Sequence, residues 1–585
     1  MQQVQDNLLI EEVIAHLKAN NLSKEQLSKL KIKLSRKYDV KQIPSDIKIF
    51  LNLSENDFNR VKITNKPVRS QSGVSVVAIM TSPRKCAHGT CTFCPGGPGS
   101  IFGDVPQSYT GREPNPRRAA RNNYDPYLQI FNRLEQYIAT GHYPEKIELI
   151  IMGGTFSSYP LDYQEEFVKY AFKALNDFSQ LFMNNNGIDM VRFKQFFELP
   201  GDITDELRTR RIHQKILELK YNYNNNNRDN NHNKIGNINR DSLEKEQLIN
   251  ETSQSRCVAM CIETKPDWCK QQHINQILRL GSTRVELGIQ TIYDHVLKLT
   301  NRGHTNIDSI EATQLLKDSF LKVGYHVMPG LPEVNREMDM KALVEYIKNS
   351  DYMPDAFKIY PCMVMRGTAL YNQWKLGKFK PLTTDEAASI IVEFKKVIPE
   401  YIRVMRVQRD IPTNMISDGV DKTNLRQYVE DLAKEKGVRC RCIRCREPKA
   451  RKVNLEDIKI KKITYTASQG TEIFFSAEDI EQDILVGFCR LRIPYKPFLP
   501  EITQNSAGIR ELHVYGNPVS LGHKGENDQL QHRGIGSTLL QEAEKIAKEE
   551  FDKKKMLVIS GIGAKEYYKK LGYKKDGVYM SNIFD

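Results

Sequence analysis

Through the middle of the chain, short apolar runs alternate with stretches of helical spacing. Val74 to Met80 is almost wholly apolar, and Lys146 to Met152 runs straight into Gly153-Gly154. Later runs are Cys257 to Asp267, Arg284 to Thr291, Tyr325 to Met328 and Ala356 to Tyr360, each closing on polar groups. Runs of this length read as buried strands. Asp125 to Thr140 and Phe167 to Phe182 carry apolar residues at helical spacing between them. The βα rhythm predicts an α/β fold with a parallel sheet, whose site gathers at the carboxyl ends of its strands.

The pattern differs at both ends. Ile10 to Leu17 is amphipathic, and Ser23 caps a second helix ending near Tyr38. Lys24, Lys29, Lys31, Lys33, Arg36, Lys37 and Lys41 crowd this region, as a phosphate-binding surface or a solvated face. Residues 222–240 are asparagine-rich and cannot bury a core, so they read as an insertion, with His232 exposed. Arg403 to Asp410 reads as an arginine-rich strand at the end of the βα series; such arginines need carboxylates or phosphates as partners. From about residue 456 the pattern becomes α+β. Asp483 to Ile493 reads as a strand-pair region and Ile509 to Gly516 as a strand. A helix then runs to about Glu550, followed by a strand from Met556.

Composition narrows the class. The 585 residues exceed one ordinary domain, and a net charge of +14 favours a polyanionic partner, nucleic acid first. The eleven cysteines cluster in threes, which argues for metal ligation in a reducing compartment rather than disulfides. No apolar stretch approaches membrane-spanning length and the amino terminus does not read as a signal peptide, so a soluble cytoplasmic protein is expected.

Two cysteine clusters and one glycine loop carry the candidate chemistry. Cys86-Ala87-His88-Gly89-Thr90-Cys91-Thr92-Phe93-Cys94 brings three thiols together in a Gly/Pro-rich loop. Adjacent thiolates repel unless a cation neutralises them, so the loop suits a zinc ion or an iron–sulfur cluster. Cys440, Cys442 and Cys445 form a second cluster, for which zinc is the expected metal. Cys257, Cys261, Cys269 and Cys362 read as packed thiols. Gln531-His532-Arg533-Gly534-Ile535-Gly536-Ser537 opens a helix, where glycines let backbone amides approach phosphates.

The first cluster resembles the radical S-adenosylmethionine (SAM) enzymes, with an aromatic residue before the third cysteine. Its four-residue gap between Cys86 and Cys91 is similar to the Elongator catalytic subunit family, tRNA wobble-uridine modifying enzymes. Lys66 to Val74 and Gln107 to Arg121 resemble the same family, and Arg117, Arg118 and Arg121 become candidates to face phosphates. The glycine loop, with Tyr567, Tyr568 and Gly572-Tyr573, resembles GNAT acetyltransferases. The resemblance covers nearly the whole chain and fits an archaeal, non-eukaryotic type.

It implies a basic tRNA-binding segment at 1–70 and a radical SAM partial (βα) barrel at 71–400. An Arg-rich, zinc-binding linker at 401–455 and an α+β GNAT acetyltransferase domain at 456–585 follow. It implies a [4Fe–4S] cluster on Cys86, Cys91 and Cys94, and SAM contacted by Gly153, Gly154, Glu263, Glu286 and Gln290. It implies acetyl-CoA on Gln531, Arg533, Gly534, Gly536, Ser537, Tyr567 and Tyr568, with Tyr568 near the thiol and Tyr567 the less certain neighbour. Lys358, Tyr360 and Tyr568 become catalytic candidates. The implied reaction takes a hydrogen from the acetyl methyl with a SAM-derived radical. The carbon radical adds to C5 of the wobble uridine in a tRNA anticodon stem-loop, and thioester hydrolysis leaves 5-carboxymethyluridine. No membrane is involved, a homodimer is allowed, and other Elongator-type subunits are not required of an archaeal-type member. Two alternatives compete: a protein-lysine acetyltransferase with Glu511 as base and a structural cluster, and a tRNA-binding scaffold.

Overall fold

The computed structural model describes residues 2–20, 22–54, 57, 73–184, 187–201, 205–222, 242–449, 451–516 and 534–584. The asparagine-rich stretch beyond Asn222, most of the Lys66 to Val74 phrase, and Gln531 and Arg533 lie outside these residues.

Three amino-terminal helices come first: α1 (Gln2–Ala19), α2 (Lys24–Lys37) and α3 (Asp46–Leu51). Ser23 and Gln26 cap α2 reciprocally, satisfying amide groups a bare helix start leaves open. Part of the lysine cluster is already committed. Lys31 is buried on Asp46 (2.6 Å) and Lys37 meets Glu12 (2.6 Å), whereas Lys24, Lys33 and Lys41 stay exposed.

Seven parallel strands make the half-barrel, in unbroken chain order. They are β1 (Ser75–Met80), β2 (Lys146–Met152), β3 (Arg256–Thr264), β4 (Arg284–Gln290), β5 (Lys322–Val327), β6 (Ala356–Ile359) and β7 (Arg403–Arg406). Helices α4 (Pro126–Ala139), α5 (Leu161–Phe182), α6 (Asn306–Asp318) and α7 (Arg336–Lys348) lie among the crossovers. The outward face of β2 buries Ile147, Leu149 and Ile151.

One buried acid leaves a pH signature. Asp339, in the first turn of α7, accepts the Gly330 amide at 2.8 Å, and burial pushes its carboxyl up to about 7. The folded state therefore holds the proton more tightly than the unfolded chain. The resulting stability is fully present below about pH 4 and is lost as pH rises through 7. Asp339→Asn keeps the acceptor and cannot ionise, so its melting temperature should gain on the wild type between pH 5 and pH 8. Parallel curves would show that Asp339 ionises normally.

The carboxyl-terminal sheet is β8 (Ile458–Ala467), β9 (Gly470–Asp479), β10 (Ile484–Ile493), β11 (Ser506–Val514), β12 (Lys555–Val558), β13 (Lys574–Asp576) and β14 (Tyr579–Ile583), with β14 between β12 and β13. The expected strand-pair region at Asp483 to Ile493 is a single strand, continuous because every residue from Ile484 to Leu491 is buried. In this sheet, among the described residues, only β11 and β12 run parallel. Helix α8 (Ile535–Glu549) buries Leu539, Leu540 and Ala543 in a core it shares with Ile473, Leu491 and Val558. A short helix α9 (Lys565–Lys570) follows.

This sheet docks on the amino-terminal end of the half-barrel. Arg492 meets Asp318 at 2.6 Å with both side chains fully buried. Arg510 meets Asp355 at 2.6 Å and Glu472 at 3.0 Å. The backbones also touch. A Cβ at Gly561 would fall 2.0 Å from the Val258 carbonyl, and one at Gly563 2.3 Å from Arg256. Gaps that small admit only glycine.

Candidate active site

The cysteine loop leaves β1 at Thr81, whose amide still bonds the Met152 carbonyl at the end of β2 (3.0 Å). Two tight turns fold it, Gly89 N to Cys86 O and Cys94 N to Cys91 O, both 3.0 Å. Thr92 bonds Thr300 (3.1 Å) and Asn301 bonds Thr90 (2.9 Å), tying the loop across the barrel mouth. Gly153 and Gly154 turn β2 away with φ of +124° and +107°. A Cβ on Gly153 would strike the Thr81 hydroxyl at 2.2 Å, and one on Gly154 would face Cys86 Sγ at 3.8 Å.

The three sulfurs line one cavity of about 150 Å³. Arg302 Nη1 donates to Cys91 Sγ (3.3 Å), His88 Nε2 lies 3.2 Å from the same sulfur, and the Ser108 amide donates to Cys94 Sγ (3.0 Å). Burial raises the Cys86 thiol, and raises Cys94 to about 11. Burial also takes His88 down to about 3, helped by Lys265 and Arg302, so its ring is neutral. A bound cation would turn these thiols into thiolates. Buried polar atoms without partners belong to residues of the same lining: His88 Nδ1, Arg302 Nε and Gln290 Oε1. Soft donors, flanking cations and idle hydrogen-bonding atoms together fit an iron–sulfur cluster with a polar ligand beside it.

Glu263, Gln290, Gly154 and Tyr360 line this cavity with the thiols. Gln290 sits at φ +71°, unusual for a side-chain residue. Glu286 and Lys358 lie deeper. Lys358 Nζ bonds Glu263 (2.9 Å) and contacts Glu286, while His326 Nε2 meets Glu286 at 3.0 Å. Burial raises the Glu286 carboxyl, but Lys358 and Arg284 reverse this and hold it well below its ordinary value. Arg406 and Arg409 line the outer mouth, where Arg409 bonds the Ser108 carbonyl.

In the second half, β11 and β12 pair from Ser506 to Ile509 and end on the bond from Ile559 N to Ile509 O (3.1 Å). A bulge at Arg510 interrupts the pairing of β11 with β10 there, and β12 ends. Beyond this point β11 runs on to Val514 without β12 beside it. Gly534, at φ +85°, caps the start of α8 without a side-chain hydrogen bond. Ser537 Oγ donates back to the Gly534 carbonyl at 2.7 Å.

Tyr568, expected near the thiol, is buried edge-on against Tyr573 in the core. Tyr567 is 41% exposed, and its hydroxyl would lie 3.2 Å from a Cβ on Gly536. Adjacent helical residues point about 100° apart, so the two rings take different environments.

Residues 237–346 match the radical SAM superfamily, 354–435 the radical SAM C-terminal domain, and 439–573 the acetyltransferase (GNAT) family. The first match begins downstream of the cysteine loop. The tRNA uridine(34) acetyltransferase of Methanocaldococcus infernus is 46% identical over 98% of both chains. Elongator complex protein 3 of Schizosaccharomyces pombe is 37% identical over 97% of both. The chain belongs to the Elongator complex protein 3 family. A solved structure of the archaeal Elongator protein from M. infernus, lacking residues 1–46, agrees with a TM-score of 0.68 at 43% identity, covering 88% of this chain and all of that one.

Against that family background, the second cysteine cluster is compact. The sulfurs of Cys440, Cys442 and Cys445 lie within 4.8 Å of one another, and among the described residues no fourth His, Cys, Asp or Glu joins them. Lys395 Nζ lies 3.5 Å from Cys445 Sγ, and Ile443 N bonds Ile402 O (3.0 Å) next to β7. Glu511 is tied to Arg490 (3.0 Å) and Lys322 (3.1 Å). Burial raises its carboxyl, yet Lys322 and Arg490 hold it at about 2. So weak a base cannot deprotonate a lysine, which corrects the alternative built on it. Arg302, Lys265 and His88 were missed as site residues, and nothing in their local spacing marks them. Among the described residues no helix is long and apolar enough to cross a membrane.

Proposed function

We propose that this Elongator-family protein modifies the wobble uridine of tRNA at C5, with acetyl-CoA as the two-carbon source. One observation carries the reading: three thiols line a cation-flanked cavity in a half-barrel on which the GNAT-matching sheet docks through buried ion pairs. The names of the M. jannaschii and M. infernus relatives, tRNA uridine(34) acetyltransferase, support the substrate. A [4Fe–4S] cluster on Cys86, Cys91 and Cys94 with SAM supplies hydrogen-atom abstraction when bound.

The chain's own residues do the rest. Arg302 and Lys265 offset negative charge at the thiolates, and Phe93, Met328 and Leu331 keep water from them. Glu263 and Gln290 offer acceptors to the amino and ribose groups of SAM. Glu286 acts one layer below, by holding Lys358. Tyr360, Arg406 and Arg409 form the mouth that takes the splayed base and its phosphate. The amides opening α8 hold the phosphates of coenzyme A, and the Tyr567 hydroxyl meets its thiol end. Zinc on Cys440, Cys442 and Cys445 is structural, bracing β7. The exposed lysines of the amino-terminal helices add non-specific attraction to tRNA.

The test is anaerobic. Reconstituted protein with dithionite, SAM, acetyl-CoA and tRNA should yield 5-carboxymethyluridine by nucleoside mass spectrometry, and Cys91→Ala should yield none. Formation of 5′-deoxyadenosine with no modified uridine would point to another acceptor.

A further inference from the structure

Strands β4 and β5 bring a carboxylate and a histidine together beside the thiols. Gly324 and His326 alternate along β5 and share one face, and Met328 follows at the next inward position. Met328 packs with Cys91, Phe93 and Cys94, and its amide bonds the Gln290 carbonyl (2.9 Å). His326 stands two residues before it, about 7 Å along the strand. Its ring lines the same cavity as the three thiols, Gln290 and Tyr360, and sits edge-on to the Tyr360 ring at 5.5 Å.

Behind His326 stands Glu286. Gly324 lies opposite it in the register of β4 and β5, and a Cβ there would fall 3.1 Å from the Glu286 side chain. The missing side chain lets the carboxylate lean over β5 to His326 Nε2, at 3.0 Å. Burial raises the Glu286 carboxyl, but Lys358 and Arg284 take it well below its ordinary value and keep it ionised. An ionised carboxylate only accepts, so Nε2 carries the proton; in the neutral ring Nδ1 then holds a lone pair. Among the described residues Nδ1 has no hydrogen-bond partner. A histidine backed by a carboxylate, with its other nitrogen free in a cavity, is built as a base.

The cavity's other candidates are committed elsewhere. Glu263 bonds Lys358 (2.9 Å), Glu113 accepts the Thr110 amide (3.0 Å), and Asp410 pairs with Arg406 at the mouth. His88 Nε2 is engaged at Cys91 Sγ (3.2 Å). Burial raises the phenols of Tyr109 and Tyr360, which keeps their protons in place.

The reaction proposed above leaves a task for a base. Once a carbon radical has added to C5 of uracil, C5 carries a hydrogen and C6 an unpaired electron. The double bond returns only when one proton and one electron leave. We propose that His326 is the catalytic base that takes the C5 proton on Nδ1, with Glu286 positioning it. The inference rests on the proposed function and adds the residue that completes it. The C5–H bond breaks and an N–H bond forms. The bonding pair joins the electron on C6: two electrons make the new π bond, and the third passes to a one-electron acceptor of the oxidised iron–sulfur class. Glu286 offsets the charge of the imidazolium, which returns its proton to water after the product leaves.

The dyad is tested first without cofactor or tRNA. In full-length protein labelled with ¹⁵N-histidine, the His326 signals, assigned by their absence from His326→Gln, should be those of the Nε2–H tautomer. The Nδ1–H tautomer would overturn the proposal, since no lone pair would then face the cavity.

Turnover is tested in the anaerobic assay. His326→Gln can still donate to Glu286 but is no base. It should form 5′-deoxyadenosine, while 5-carboxymethyluridine falls about a hundredfold or more. Dithionite should reduce the stalled radical, so the 5,6-dihydro counterpart, two mass units heavier, should appear instead. Undiminished 5-carboxymethyluridine would overturn the assignment, as would loss of 5′-deoxyadenosine. Glu286→Gln, on an anticodon stem-loop deuterated at C5 of the uridine, should show a larger isotope effect than the wild type. An effect no larger would overturn the dyad. Wild-type protein that forms 5′-deoxyadenosine but no modified uridine would remove the proposed function and this assignment together, whereas the other outcomes remove the assignment alone.

Discussion

Asp318→Ala should lose about 3–5 kcal/mol of stability and release the GNAT half from the half-barrel. Asp318 accepts from Arg492 at 2.6 and 2.8 Å, from Gln314 at 2.6 Å, and from the backbone amides of Tyr495 and Lys496 at 3.1 and 2.8 Å. Its removal strands a guanidinium with no solvent access, which is where the cost arises. Arg492 keeps Glu472 (3.0 Å) and the Ala467 carbonyl (2.9 Å), so the half-barrel side loses most. Thermal unfolding should split into two transitions, and limited proteolysis should cut between the halves. Asp318→Leu with Arg492→Met removes both charges and should recover much of the loss, because Glu472 retains Arg510 (3.0 Å). A single unshifted transition in Asp318→Ala would mean the pair adds nothing to docking.

Lys358→Met should abolish uridine modification while leaving acetyl-CoA binding intact. Lys358 is the cation between two carboxylates, Glu263 and Glu286, and the whole group is buried. Without it the carboxylates face each other, and Glu286, left to Arg284 and His326, should move back toward protonation. Breaking a buried pair costs about 3–5 kcal/mol, and at 1.36 kcal/mol per decade that exceeds roughly a hundredfold in rate if it falls on the reacting complex. Nucleoside mass spectrometry reads the product, and calorimetry with acetyl-CoA reads the other half. Lys358→Arg should restore part of the activity. Wild-type product from Lys358→Met would confine this cluster to a packing role.

The sequence exposed what is periodic and what is local. The barrel strands from β1 to β6 show as apolar runs closing on polar groups, because a strand buried on its outer face and polar at its carboxyl end writes both facts into consecutive residues. Cys86, Cys91 and Cys94 are legible because the loop closes on itself within nine residues. Asp318, Asp355, Glu472, Arg492 and Arg510 gave no such signal. Each looks like ordinary surface charge, and their burial comes from a docking that joins positions more than 150 residues apart. Glu511 was misread for the same reason, since its partners Lys322 and Arg490 come from different halves. Tyr567 and Tyr568 differ again: the spacing located the pair, and the helix phase decides that Tyr567 is exposed while Tyr568 is buried.

Among the described residues the half-barrel sheet ends at β7, whose outer edge has no strand partner, and Arg426 donates to its Val404 and Met405 carbonyls at 3.3 and 3.1 Å. An exposed edge invites strand addition from another molecule. Here it is four residues long, slips register between Phe357 and Lys358, and carries Arg403 and Arg406. The knuckle of Cys440, Cys442 and Cys445 backs it through Ile402. Short length, a bulge, charge and the Arg426 side chain are devices that oppose strand addition along this last edge.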